Sequence, residues 1–217
     1  MRPVVVSVGP LVAANATNIR TASAIAGAGA VVLNGTLVAG GVATLDKARR
    51  ILFTSAGNDS GITFTVTGTD INGQVQTEIL TGGNAVAVFT NTDFKTVTSV
   101  VASGAAAGNV SIGTNGVASS AWVRLDEWAA PQTAIQIDVS GVVNYTVQQT
   151  LDDPNSFTNP VLPSAVTWIN SADVAMVNAT TSLQSNYAYA PTFARVLLNS
   201  GAGSLTGTFI QFGVVGR

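Results

Sequence analysis

The sequence contains no Cys and no His. The side chains that could take part in acid–base catalysis or metal binding are therefore mainly carboxylates. That absence excludes disulfides, zinc sites with thiolate or imidazole ligands, and mechanisms that need a Cys or a His. Asp126 and Glu127 stand between Trp122 and Trp128, and some glycoside hydrolases and lectins hold sugars with carboxylates flanked by aromatic rings. Adjacent strand residues point to opposite faces, so this pair is not expected to share acid–base work. The alternative is an exposed inter-domain or interface loop with Trp122 or Trp128 as a packing anchor.

Asp152 and Asp153 form the other adjacent acidic pair, directly before Pro154 and Asn155. In a loop both carboxylates could converge on a hard cation, although Asp-Pro-Asn is also ordinary turn chemistry. Both interpretations stay open. The stretch 70–73 resembles the start of a calcium loop but lacks the later acidic ligands, which favours a hairpin turn. We therefore predict no cofactor and assign no metal ligand.

Tyr187 and Tyr189 are two residues apart and precede Pro191. In an extended strand this spacing places both rings on one face. The pair could stack on carbohydrate or anchor a partner, or it could be a half-buried strand edge. Together with Trp122 and Trp128, these tyrosines are our candidate partner-contact residues.

The composition indicates a protein that lives in an assembly. Charged residues make up 9% of the chain, and the formal net charge is −2, whereas an average globular domain has about 25% charged residues. Thr, Asn, Ser and Gln side chains can solvate an uncharged surface, whereas partner subunits, including copies of this chain, would remove it from water; both explanations apply in an assembly. The nine Lys and Arg residues are scattered, so we expect no nucleic-acid partner. The apolar run at 22–33 is too short to span a bilayer, and we expect neither a signal peptide nor a membrane partner.

The stretch 49–113 predicts a series of β-hairpins. Apolar residues alternate with threonines in 62–69, which is typical of a strand with one buried and one wet face. Asn72-Gly73 suits the tight turn that follows. Further strand patterns occupy 74–80, 85–90, 95–102 and 109–113. The chain is therefore expected to be all-β.

We expect two small antiparallel β-sandwich or jelly-roll-like domains, with boundaries read from composition. Residues 1–30 are predicted to be an extended or irregular N-terminal arm, in which only Val4–Val8 has a strand pattern. The first domain covers 31–118 and includes a small hairpin turning at Asn34-Gly35. The second covers 119–217 and carries all the Trp and Tyr residues.

Two further features of the sequence have competing interpretations. The charge cluster 46–50 could bind phosphate or an acidic partner, or it could be a solvated lead-in to the strand at Ile51. The segments 48–57 and 193–203 resemble each other, and 94–104 is a looser third copy. This similarity indicates either duplicated domains with equivalent hairpins or chance likeness between strand-turn-strand units.

The stretch NDSGITFTVTGTDING at 58–73, with 77–79 and 94–100, resembles a recurrent pattern in structural proteins of tailed bacteriophages. The segments YTVQQTLDDP at 145–154 and ARVLLNSG at 194–201 are similar to the same group. The resemblance covers roughly 48–212 and consists of hairpin motifs without catalytic residues. It implies a non-enzymatic component of the head, neck or tail.

Composition and resemblance together lead to a functional hypothesis. The expected protein is a capsid decoration or cement protein that bridges neighbouring capsid subunits, located in the virion after assembly in the host bacterial cytoplasm. Its expected partners are the major capsid protein or other virion proteins, and copies of itself. The alternatives are a neck or tail component, or a carbohydrate-binding receptor module with a host glycan as partner. We expect no enzyme, because acid–base and nucleophilic residues do not converge.

Overall fold

The computed structural model describes residues 3–125, 133–187, 189 and 191–211. This described part contains nineteen strands and two short 3-10 helices, at Pro163–Ala165 and Val174–Met176. The predicted all-β class is confirmed. No helix within the described ranges is long and apolar enough to cross a membrane. The strands are β1 Val4–Val8, β2 Asn15–Ser23, β3 Gly29–Ala30, β4 Val38–Ala39, β5 Val42–Arg49, β6 Ile51–Ser55, β7 Thr63–Thr69, β8 Val75–Thr81, β9 Val88–Phe89, β10 Phe94–Ala102, β11 Val110–Thr114, β12 Ala118–Ser119, β13 Val123–Arg124, β14 Thr133–Ser140, β15 Val143–Thr150, β16 Ile169–Asn170, β17 Leu183–Tyr187, β18 Phe193–Gly201 and β19 Ser204–Gln211.

The chain divides into two compact units. The first unit is Val12–Gly116, and the second combines Met1–Leu11 with Val117–Arg217. The division after Gly116 falls two residues before the boundary that composition predicts. The N-terminal strand belongs to the second unit, since β1 pairs with β19 over its whole length.

The first unit is a two-sheet sandwich. One sheet has the order β4-β5-β10-β7-β8, with β3 also paired to β10, and the other has the order β2-β11-β6-β9. Alternate residues of both sheets meet in one apolar core, which includes Phe53, Phe64, Phe94 and Ile112. The Phe53 and Phe64 rings stack with centroids 5.0 Å apart. Period-2 alternation thus builds the core, as the threonine-rich strands predict.

The second unit is a sandwich of the same kind. Its sheets have the orders β1-β19-β14-β17 and β12-β18-β15-β16, with β13 also paired to β18. Tyr145, Val196 and Phe209 lie in the shared core, and the Tyr145 hydroxyl donates to the Thr181 carbonyl at 3.0 Å. Burial raises the pKa of Tyr145.

The predicted extended or irregular N-terminal arm is not what the structure shows, because 1–30 contains three strands, β1, β2 and β3, that each pair with a strand distant in sequence. Val6 and Val8 of β1 enter the second core, while β2 pairs with β11. Arg20 donates to the Ser23, Ala24 and Val110 carbonyls, which satisfies backbone groups next to β2. These partners lie as far as 90 residues away in sequence, so the local composition of the arm did not indicate them.

Two local predictions in the first unit also need correction. The charge cluster 46–50 is a solvated lead-in only in part: Asp46 and Lys47 are exposed, but Arg49 closes β5 and is 99% buried, with hydrogen bonds to Asp46, Val12 and Asn115. Asn34-Gly35 does not turn a hairpin. The backbone there donates to the Ile19 carbonyl, and a Cβ on Gly35 would lie 2.2 Å from the Asn18 carbonyl carbon. The hairpin between β4 and β5 turns at Gly40-Gly41 instead.

The three similar segments correspond to strands in equivalent positions. Each segment contains or leads into two consecutive strands, of which the first lies in one sheet of a sandwich and the second in the other sheet. These strands are β6 and β7, β10 and β11, and β18 and β19. In the first unit β6 pairs with β11 and β7 with β10. In the second unit β18 pairs with β15 and β19 with β14. The sequence likeness therefore marks the strands that connect the two sheets of each unit.

Candidate functional site

β18 is buried on both of its faces. Ala194, Val196 and Leu198 point into the core of the second unit. Phe193 and Arg195 alternate with them on the opposite face and are also buried. Because that face lies outside the sandwich, another part of the chain has to cover it. The loop 151–168, which connects β15 to β16, contributes to this cover and is called the covering loop below.

Trp168, at the end of the covering loop, lies on the Arg195 side chain. The guanidinium carbon of Arg195 is 4.1 Å from the Trp168 ring centroid. Arg195 also donates from Nε and Nη2 to Gln148 Oε1 at 3.0 and 2.8 Å, and Gln148 Nε2 donates to Asn170 Oδ1 at 3.1 Å. A guanidinium held by planar hydrogen bonds presents a fixed flat surface to an aromatic ring. Arg195 therefore fixes the end of the covering loop.

Trp122 joins this contact from the side. Its ring meets Trp168 at 5.0 Å and Phe193 at 5.7 Å, both edge-to-face. The Arg124 guanidinium lies 5.5 Å from the Phe193 centroid. Each arginine thus occupies a face of an aromatic ring, and the cluster is packed against itself. This arrangement makes Trp122 and Trp168 packing anchors, with their partners inside the chain.

Both carboxylates of the covering loop, Asp152 and Asp153, bind groups of this chain. Asp152 Oδ2 accepts from the Thr167 backbone N–H at 2.7 Å, which brings the two ends of the loop together. Asp153 Oδ1 accepts from the Asn155 N–H at 2.8 Å, and its Oδ2 pairs with Arg124 at 3.1 Å. Within the described residues no group of three or more acidic side chains could hold a metal. The geometry therefore favours turn chemistry at Asp152 and Asp153.

The outer side of the covering loop exposes apolar side chains. Phe157 is fully exposed, and Leu151 and Leu162 each expose 73% of their surface. No charged residue occurs between Pro154 and Ala172. A loop whose ends are joined by a hydrogen bond and which exposes apolar side chains has the features of a binding loop.

The two candidate tyrosines do not share an exposed face. Tyr187 ends β17 in the core of the second unit and is only 5% exposed. Burial, with a smaller contribution from Tyr189, raises the pKa of Tyr187 well above its usual range. Tyr189 is half exposed, and its hydroxyl accepts from Gln149 Nε2 at 2.8 Å. Of the pair, only Tyr189 is placed to meet a partner.

The structure places the four sequence-predicted contact residues differently. Trp122 is in the aromatic cluster, Tyr187 in the core and Tyr189 at the surface, while Trp128 lies outside the described residues, as do Asp126 and Glu127. Sequence reasoning missed Arg195 and Phe157. An arginine inside the apolar run of β18 is a signal for a strand covered on both faces, and a Phe among Pro, Asn and Ser is a signal for an exposed apolar tip.

Comparisons of this chain with protein-family models, with curated proteins and with solved structures found no match.

Proposed function

We propose that this protein is a non-enzymatic structural component of a tailed-phage virion, namely a capsid decoration protein that docks through its covering loop. Its partner is the major capsid protein or another protein of the same particle. Assembly takes place in the host bacterial cytoplasm, and the protein bridges neighbouring capsid subunits.

The observation that carries the proposal is the fully exposed Phe157 on a loop whose two ends are held by contacts within the chain. The Trp168–Arg195 contact and the Asp152–Thr167 hydrogen bond fix these ends before any partner arrives. Fixed ends reduce the conformational entropy that the loop loses when a pocket closes over the Phe157 ring. Aromatic anchors of this kind contribute most of the binding energy at many protein interfaces.

A loop of this size makes a weak contact, and a capsid lattice that repeats the binding site many times compensates for that weakness. A few exposed apolar side chains make an interface smaller than the roughly 800 Å² per partner of a standard stable complex. Multivalent attachment to many identical subunits makes up for weak single contacts, because each attached copy raises the local concentration of further sites. The charge-poor composition agrees with a protein whose surface is shared with neighbours.

Two observations favour docking over the other functions considered for this chain. The faces of Trp168 and Phe193 that a sugar ring could use are partly taken by Arg195 and Arg124. The carboxylates of Asp46, Asp152 and Asp153 bind backbone N–H groups and arginines of this chain. Neither a free stacking platform nor a pair of acid–base groups is formed by these residues.

The test is co-sedimentation of the purified protein with undecorated heads of the phage that encodes it. Wild-type protein is expected to bind the heads. Phe157→Ser is expected to lose at least tenfold in apparent affinity without loss of stability, because the ring is already exposed in the free protein.

Val142→Ser is the matched control, since Val142 is an exposed apolar residue in the turn between β14 and β15. It is expected to bind as the wild type does. Failure of the wild type to bind heads would overturn the decoration assignment, and binding to purified tails or necks would move the protein there. Equal binding by Phe157→Ser and the wild type would rule out the covering loop as the docking surface.

A further inference from the structure

Part of the outer face of the β5-β10-β7-β8 sheet of the first unit forms a grid of uncharged side chains, which two register shifts in β10 interrupt and which the exposed Asp46 borders on β5. Strand register places Ile79, Thr65, Val101 and Ala30 in one row across β8, β7, β10 and β3. Directly opposed residues of antiparallel strands lie on the same face. The remaining rows are Thr77, Thr67 and Ser99; Val75, Thr69, Thr96 and Thr44; and Thr81 with Thr63. We call this grid the threonine face.

The threonine face is more apolar than its composition suggests. Thr67 and Thr77 hydrogen-bond to each other through their hydroxyls at 3.2 Å, and Thr69 and Thr96 do the same at 2.7 Å. Because these four hydroxyls bind each other within the sheet, the methyl groups of the same threonines are what the face presents to the outside. Val75, Ile79 and Val101 are exposed in the same grid. An uncharged sheet face with methyl groups pointing outward is a candidate interaction surface.

We propose that the threonine face packs against the same face of a second copy of this chain, related by a two-fold axis. This surface is separate from the covering loop, and the proposal does not depend on the proposed function. A partner with a charged surface would have to desolvate its charges against a grid that offers no counter-charge, which is unfavourable. A second copy brings an equally uncharged face, and its hydroxyls can both donate and accept.

The size of the grid indicates how strong the dimer is. Two sheets with the same right-handed twist can stack face to face with their strands about 30° apart. A strand spacing of about 4.8 Å and a two-residue rise of about 6.8 Å give the grid a footprint of roughly 400 Å². This is about half of the roughly 800 Å² per partner of a standard stable interface. The predicted dimer is therefore weak and depends on protein concentration.

Sedimentation equilibrium of the purified full-length chain tests the proposal. The weight-average mass is expected to rise from the 21.9 kDa of the monomer toward twice that value as the concentration increases from about 10 µM to 1 mM. Thr65→Lys places a cation at the centre of the grid, where two copies would face each other. This variant is expected to stay monomeric, with at least a tenfold weaker association.

Thr208→Lys is the matched control. Thr208 is a half-buried threonine on the central strand β19 of the second unit, between Val5 and Gln136, so the variant carries the same new charge on a sheet face outside the grid. It is expected to associate as the wild type does. Circular dichroism and thermal unfolding verify that both variants are folded.

A mixture of Thr65→Lys and Thr65→Glu identifies the facing surface. The two variants are expected to form a mixed dimer, because opposite charges then meet across the two-fold axis. A wild-type chain that stays monomeric up to about 1 mM overturns the proposal, as does undiminished association of Thr65→Lys. If each variant is monomeric and their mixture stays monomeric as well, the face-to-face arrangement is wrong.

Discussion

The Arg195 guanidinium lies 4.1 Å from the centre of the Trp168 ring and joins the covering loop to β18. Arg195 is 3% exposed and Gln148 accepts two of its hydrogen bonds, so the charge is held in place on the side opposite the core. With the Arg124–Asp153 ion pair, this contact connects the fold of the second unit to its candidate docking surface, because the loop that ends at Trp168 also carries Phe157.

Replacing Arg195 by Met is expected to destabilise the protein by about 2–4 kcal/mol, because it removes the stacking with Trp168 and leaves Gln148 Oε1 without its donors. Urea unfolding followed by circular dichroism measures this loss. The loosened loop should also be cleaved faster by chymotrypsin at Phe157. Arg124→Met is the control, since Arg124 is 55% exposed and its ion pair should contribute less than about 1 kcal/mol. Equal losses in the two variants would contradict the anchoring role of Arg195.

Gly68 is required where β7 passes β10. A Cβ at this position would lie 1.9 Å from the Thr96 carbonyl oxygen, so Gly68→Ala is expected to cost about 3 kcal/mol or more. Gly61→Ala meets no atom within 4 Å and should change the free energy of unfolding by less than about 1 kcal/mol. Chemical denaturation of both variants distinguishes the two positions. A Gly68→Ala protein as stable as the wild type would show that the β7–β10 irregularity relaxes easily.

Arg49 joins both ends of the first unit, since it donates to the Val12 and Asn115 carbonyls and pairs with Asp46 at 3.0 Å. Arg49→Met removes the two hydrogen bonds and the ion pair of a buried guanidinium and is expected to lower the free energy of unfolding by about 3–5 kcal/mol. Lys47→Met, at an exposed cation of the same strand, should stay within about 0.5 kcal/mol of the wild type. Thermal and urea unfolding of the two variants provide the measurement. A similar stability for both would contradict the role assigned to Arg49.

Asp46 should make stability depend on pH in the acid range. Burial opposes its ionisation, but hydrogen bonds from Val12 and Arg49 and the Arg49 charge outweigh burial and hold the pKa of Asp46 below its usual 3.8. A lowered pKa stabilises the folded state above the unfolded value, and that stabilisation is lost as pH falls through the folded value. Asp46→Asn should therefore be less stable than the wild type by about 1 kcal/mol at pH 6. The difference should close as the pH falls below 3.8; a gap that does not change with pH would refute this assignment.

Local patterns predicted most of the strands, because a period of two is visible within a few residues. The alternation in 62–69 corresponds to β7, and the Asn72-Gly73 turn leads into β8. Of the predicted strand at 85–90, the structure forms only Val88–Phe89. At its predicted start, Ala85 has a positive φ, which a strand does not adopt. Strand existence followed from local alternation, while strand length depended on partners that the sequence does not display.

The candidate site was less accessible to sequence reasoning. Aromatic residues drew attention to the second unit, yet Tyr187 lies in the core and Trp122 packs within the chain. Arg195 and Gln148 meet across β18 and β15 at a separation of 47 residues. The apolar run around Arg195 indicates a buried strand, but no local pattern in the sequence identifies Gln148 as the partner of Arg195.

The sequence by itself determined the all-β class, the absence of Cys and His chemistry and the uncharged character of the surface, since these follow from composition and from short-range alternation. Only the tertiary structure decided that β1 joins β19, that Arg49 closes the first unit and that four strands align their threonines into one face. The physical reason is that pairing between distant strands sets which side chains become neighbours. Neighbours, more than residue type, determine whether a charge is buried or an apolar ring is left in water.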